Sequence, residues 1–167
     1  ANGEQVSVAL PPIEGNMSNH KVVWKVSDGC NNNASCSYDF MVVDKKAPTP
    51  YCIDLSTAVM GSDGTVEIWA IDFNVGSFDN CTDVDNLRFT FTDVAPENDP
   101  TFDEDARSSS MVFDCDDVAN SPVAVNMYVW DEKGNSDFCA VTITLVDNDG
   151  ACNEGSRISG MAATEIG

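Results

Sequence analysis

The stretch VAVNMYVWDEKGNSDFCAVTITLVD, residues 123–147, decides the fold. Val123, Val125, Met127 and Val129 alternate with Ala124, Asn126, Tyr128 and Trp130. Past the turn residues Asp131-Glu132-Lys133-Gly134-Asn135, Cys139, Val141, Ile143 and Leu145 alternate with Ala140, Thr142, Thr144 and Val146. A period of two is the signature of a strand with one buried face. Two such runs joined by an Asp/Gly/Asn turn read as a β-hairpin.

The same pattern stands 103 residues earlier, in HKVVWKVSDGCNNNASCSYDFMVVD, residues 20–44. Seven of the 25 aligned positions are identical: Val22/Val125, Val26/Val129, Asp28/Asp131, Asn32/Asn135, Cys36/Cys139, Val43/Val146 and Asp44/Asp147. The hydrophobic phase is kept as well. Val22, Trp24 and Val26 alternate with Lys21, Val23 and Lys25, then Cys36, Tyr38, Phe40 and Val42 with Ser37, Asp39 and Met41. Solenoid repeats run about 20–50 residues, so this longer period means tandem domains.

Between the two copies lie further strand signals. They are Tyr51–Met60, Thr65–Ile71, the alternation Leu87/Phe89/Phe91 and Ser110–Phe113. Six or seven short strands with turns between them predict an all-β chain of tandem immunoglobulin-like β-sandwiches, the first one incomplete. The proline-bearing stretch Asp44–Pro50 reads as a stiff linker. Residues 1–46 then hold the C-terminal strands of a first sandwich, and 47–149 are a complete second one. Residues 150–167 lead into a following module or supply a strand exchanged with a neighbour. Either the first domain is cut from a longer chain, or its missing strands come from a neighbour.

Charge narrows the function. Asp and Glu number 28 against 8 Lys and Arg, for a formal net charge of −20. A surface this acidic repels nucleic acid and anionic membranes. The single histidine, His20, precedes a strand and has no nucleophile motif beside it, so it reads as a surface residue. The run Asp103-Glu104-Asp105 sits in a Pro/Asn/Asp-rich loop and reads as a solvated charge run, so no catalytic constellation emerges. No apolar run approaches the ~18 residues of a membrane span. The start Ala1-Asn2-Gly3-Glu4 has no signal-peptide character.

Several motifs look like those of a known family. VSDGCNNNASCSYDFMVVDKKAPTPYC, GSFDNCT, YVWDEKGNSDFCAVTITLVDN and ACNEGSRISGMAATEIG resemble the tandem hyalin-repeat-like, immunoglobulin-like modules of giant secreted surface proteins of Bacteroidota. The resemblance implies an extracellular β-sandwich used in adhesion or as a structural spacer, with no catalytic residues. The first copy departs from the family's Gly-Asn turn, having Asn31-Asn32. It also carries Lys45 where related modules often have a cysteine. Ile158-Ser159-Gly160 resembles the first strand of a different module type.

The seven cysteines lack the C-x2-C spacing of zinc sites and fit structural disulfides in an oxidising setting. Cys30 and Cys36 flank one turn and are candidates for a local pair, and Cys81 and Cys115 for a loop staple. Cys52 and Cys139 would lie on the first and last strands, which run side by side in such sandwiches, leaving Cys152 as the odd cysteine.

Calcium is the specific use open to the acid excess. Asp79, Asn80, Asp83 and Asp85 share one loop, Asp114, Asp116 and Asp117 flank Cys115, and Asp147, Asn148 and Asp149 stand at a domain junction. Oxygen-rich junction loops can hold a hard cation. Asp and Asn are also ordinary turn residues, so solvated turns are the competing reading.

Trp69, Tyr128 and Trp130 fall on the face opposite the core phase, and would serve an interface between protomers or a surface glycan. Asn16, Asn33 and Asn80 open N-glycosylation triplets. The expected function is a non-enzymatic structural module of an extracellular filament or adhesin, partnered by itself through strand complementation. A calcium-dependent or glycan-binding adhesion module is the alternative.

Overall fold

A computed structural model describes residues 20–152, except for the side chains of Leu55 and Ser56. The N-terminal segment and the residues after Cys152, including Asn16 and Ile158–Gly160, lie outside the described residues. The chain is all-β, with 44% of residues in strands, almost no helix, and curled sheets. It divides into two compact units, Ala1–Lys45 and Lys46–Gly167.

In the first unit, β1 (His20–Ser27) and β2 (Asn33–Phe40) form an antiparallel hairpin. The alternation of the sequence gives it two unlike faces. One carries Val22, Trp24, Val26, Cys36 and Tyr38, and the other Lys21, Lys25, Ser35, Ser37 and Asp39. Lys21 and Asp39 lie 3.8 Å apart across the polar face, both well exposed, so their attraction contributes little.

Among its described residues the second unit holds seven strands: β3 (Leu55–Val59), β4 (Val66–Trp69), β5 (Arg88–Thr90), β6 (Phe102–Asp103), β7 (Ser108–Phe113), β8 (Val123–Trp130) and β9 (Ser136–Val146). Their order is β3-β9-β8-β5-β7-β4, with β6 on β7. The first strand runs parallel to the last, Leu55 opposite Ile143 and Val59 opposite Val146. β5 touches β7 through a single pair, Phe89 with Ser108, and there the sheet turns over.

Curling brings the apolar faces together. Ile68, Phe73, Leu87, Phe89, Phe113, Met127, Val129, Val141, Ile143 and Leu145 are buried in one cluster. Each large apolar side chain so removed from water stabilises the fold by about 1.5–3 kcal/mol.

Several elements are shorter than the sequence predicts. Of Tyr51–Met60 only Leu55–Val59 is strand. The run Thr65–Ile71 stops as a strand at Trp69, where Asp72 turns back to accept the Trp69 N–H at 3.2 Å and opens a 3-10 turn over Ala70–Phe73. The short helix α1 (Cys115–Ala119) follows β7. Its start is fixed by a capping box, with Asp114 accepting the Asp116 N–H and Asp117 accepting the Asp114 N–H, both at 2.9 Å.

Candidate functional site

The β1–β2 hairpin and the β8–β9 hairpin are one structure written twice. All eight cross-strand pairs of the first recur in the second at an offset of 103, from His20–Phe40 and Val123–Ile143 to Ser27–Asn33 and Trp130–Ser136. The turns match atom for atom. Asp28 Oδ1 accepts from the N–H groups of Cys30 (2.8 Å) and Asn32 (2.9 Å), and Oδ2 from Asn32 Nδ2 (2.7 Å). Asp131 Oδ1 accepts from Lys133 and Asn135, each at 2.8 Å, and Oδ2 from Asn135 Nδ2 at 2.7 Å. Asn31 substitutes for Gly134 without altering the turn, since both adopt positive φ, which Asn tolerates better than most residues. The Asn32 bonds hold the Asp28 carboxyl below its ordinary pKa, the side-chain amide contributing most.

What differs is the cover. Val125 packs against the core, and Met127, Val129 and Val141 are 0%, 0% and 2% exposed. Their equivalents Val22, Trp24, Val26 and Tyr38 are 36%, 60%, 68% and 68% exposed. Trp24 and its neighbours therefore do not lie in a core, although their phase matches one. His20, expected at the surface, is half-buried and stacks on its cross-strand partner Phe40 with ring centroids 5.5 Å apart.

Two disulfides stand in the second unit. Cys52 is bonded to Cys139, Cα atoms 6.3 Å apart, tying the segment before β3 to β9. Cys115 is bonded to Cys152, Cα atoms 5.2 Å apart, and not to Cys81. A carboxylate explains this pairing. Asp147 accepts the N–H groups of Ala151 (2.9 Å) and Cys152 (3.0 Å), which turns the chain after β9 back toward the start of α1. Cys30 and Cys36 are not bonded to each other. Cys36 sits in the ladder opposite Trp24, while Cys30 belongs to the turn that Asp28 closes. The disulfides indicate an oxidising environment. Among the described residues no helix is long and apolar enough to cross a membrane.

Of the residues expected to bind calcium, Asp79, Asp83 and Asp147 accept the backbone N–H groups of turns. Asp79 Oδ2 accepts from the Cys81 (2.7 Å) and Thr82 (2.9 Å) N–H groups, and Asp83 Oδ1 accepts from the Asp85 N–H at 3.0 Å. Asn80 and Asp149 are exposed. Asp79, Asp83 and Asp85 do not bring three carboxylate oxygens within 4.8 Å of one another. The Arg107 guanidinium donates to the carbonyls of Val84, Asp85 and Leu87 at the far side of that loop, placing a cation of the protein's own there.

The three aromatic residues expected on an outer face part company. Trp69 is half-buried, as is Tyr128, which packs on Phe138 with centroids 5.3 Å apart. Trp130 is buried, and its indole N–H donates to Thr90 Oγ1 at 2.8 Å. Thr90, also buried, donates in turn to the Thr92 carbonyl at 2.6 Å. At the end of β8 the curled sheet covers both faces, and a buried indole keeps its donor satisfied. Trp130 is therefore no part of an exposed stripe.

A cleft of about 470 Å³ opens between Phe91, Val94, Pro100, Thr101, Met111 and Val112. Asp99 also lines it, its Oδ1 accepting from the Thr101 hydroxyl at 2.7 Å. No protein-family model matches the chain, and no curated protein matches it.

Proposed function

We propose that the chain is a non-enzymatic structural module of an extracellular filament or cell-surface adhesin, built of tandem immunoglobulin-like sandwiches. The observation that carries this is the repeated hairpin, identical in register and in turn hydrogen bonds at an offset of 103. One such hairpin belongs to a core closed by a disulfide, and the other presents an equivalent apolar face to solvent. A module of this kind serves by connecting to others.

The curled order β3-β9-β8-β5-β7-β4, joined between β5 and β7 by a single pair, and a first strand parallel to the last support the immunoglobulin-like assignment. The disulfides support secretion. The net charge of −20 keeps such a protein soluble, and requires strand pairing, apolar contact or bound cations wherever chains associate.

Imaging of the purified chain by electron microscopy tests the reading. End-to-end strings or fibres are the expected result. Isolated particles that bind a glycan saturably, with binding lost in Trp69→Ala or only in chelator, would replace it with the adhesion-module alternative.

A further inference from the structure

We propose that the apolar face and outer edge of the β1–β2 hairpin receive the first strand of a like module, an extended segment whose cysteine bonds to Cys36. The inference rests on the tandem-module reading and specifies the partner of this surface.

The second unit supplies the template. There β3 lies parallel along the outer edge of β9, with Leu55 opposite Ile143, Ala58 opposite Leu145 and Val59 opposite Val146. Cys52, three residues before β3, is bonded to Cys139. Moved back by 103 residues, the receiving positions Cys139, Ile143, Leu145 and Val146 become Cys36, Phe40, Val42 and Val43. Every one keeps the chemistry that receives a β3-like strand.

The end of β2 points the same way. β9 runs through Val146, but β2 stops at Phe40. The residues by which it falls short, Met41, Val42 and Val43, correspond to Thr144, Leu145 and Val146, of which Leu145 and Val146 pair with β3. All three are exposed, and so is Cys36.

Two other occupants fit less well. A second copy laid face to face would bring Cys36 to Cys36, leave the edge at Val42 and Val43 unpaired, and press together two chains of charge −20. The chain's own Gln5–Leu10 alternates apolar residues but contains no cysteine. A β3-like strand alone serves both the edge and the thiol. Edge addition supplies main-chain hydrogen bonds while alternate side chains enter the apolar face.

The probe is a synthetic peptide of residues 51–60, YCIDLSTAVM, the strand that fits β9, carried as its mixed disulfide with glutathione. The Cys36 thiolate attacks the peptide cysteine sulfur, the new disulfide forms, and glutathione thiolate leaves. With the whole chain, the expected result is one peptide coupled at Cys36 by mass and peptide mapping. Docking should favour Cys36 over the turn residue Cys30 by about tenfold or more, through raised local concentration.

Trp24 fluorescence, taken as the difference from Trp24→Phe, should shift to the blue. A serine version of the peptide should give the same shift at higher concentration, and Trp24→Ser should bring coupling at Cys36 down to the Cys30 level. Equal coupling at Cys30 and Cys36, an unmoved Trp24, Cys36–Cys36 dimers in place of the adduct, or exclusion of the peptide by protected residues 5–10 would each overturn the proposal. A hairpin that ignores the peptide would leave the tandem-module reading standing. A parent protein with no further repeat at this spacing would sink that reading whichever way the peptide behaves.

Discussion

Asn31 and Gly134 occupy the same position of two turns 103 residues apart, with φ of 66° and 79°. The left-handed conformation costs an ordinary L-residue about 1–2 kcal/mol, less for Asn. Asn31→Ala should therefore weaken amide-exchange protection across β1–β2 by the equivalent of about 1 kcal/mol, while Asn31→Gly should change it by a few tenths. Equal loss in both variants would show that the turn does not depend on positive φ.

The two hairpins predict opposite responses to the same kind of truncation. Met127 is fully buried, so Met127→Ala should cost about 2–5 kcal/mol in denaturant unfolding. Its repeat equivalent Trp24 is exposed, so Trp24→Ala should change stability by no more than about 0.5 kcal/mol. A large loss at Trp24 in the isolated chain would mean that its face is already covered.

A non-reducing peptide map should link Cys52 with Cys139 and Cys115 with Cys152. The bridges span 87 and 37 residues, for which chain entropy predicts stabilisation of about 4.5 and 4 kcal/mol. The double variant Cys52→Ala/Cys139→Ala should accordingly lower unfolding stability more than Cys115→Ala/Cys152→Ala. A peptide joining Cys81 to Cys115 would contradict the arrangement.

Acid should loosen the first turn. The Asn32 side-chain amide and the N–H groups of Asn32 and Cys30 favour the ionised Asp28 carboxylate and lower its pKa from the ordinary 3.8. A depressed pKa stabilises the folded turn above the unfolded value, and that contribution is lost as pH falls through the folded one. Nuclear magnetic resonance should show the Asp28 carboxyl titrating below 3.8, with the Asn32 amide resonances moving in the same step. In Asn32→Ala the titration should return toward the ordinary value, and an unchanged midpoint there would assign the shift elsewhere.

Alternation made the strands legible. The phase of Met127, Val129, Val141, Ile143 and Leu145 identifies the buried face of β8–β9, because side chains of a pleated strand point alternately to its two faces. The same rule misplaced Trp130, since alternation presumes one wet face and the curled sheet covers both at the end of β8.

It also could not say that Trp24 is exposed. A pattern states which face needs cover, not which segment provides it. The Cys115–Cys152 bridge was hidden for a different reason. It depends on a turn made by the Asp147 carboxylate, one of many acidic residues whose individual bonds leave no mark in the composition. The acidic loops leave a turn and a cation site open as readings, because turn-forming Asp and cation-binding Asp use the same oxygens.

The repeated structural element proposed here would work outside the cell. Immunogold electron microscopy of intact, unpermeabilised producing cells, with antibody raised against residues 47–149, tests it most directly. Gold on the outer surface, strung along fibres or projections, is the expected result. Label that appears only after permeabilisation would contradict it.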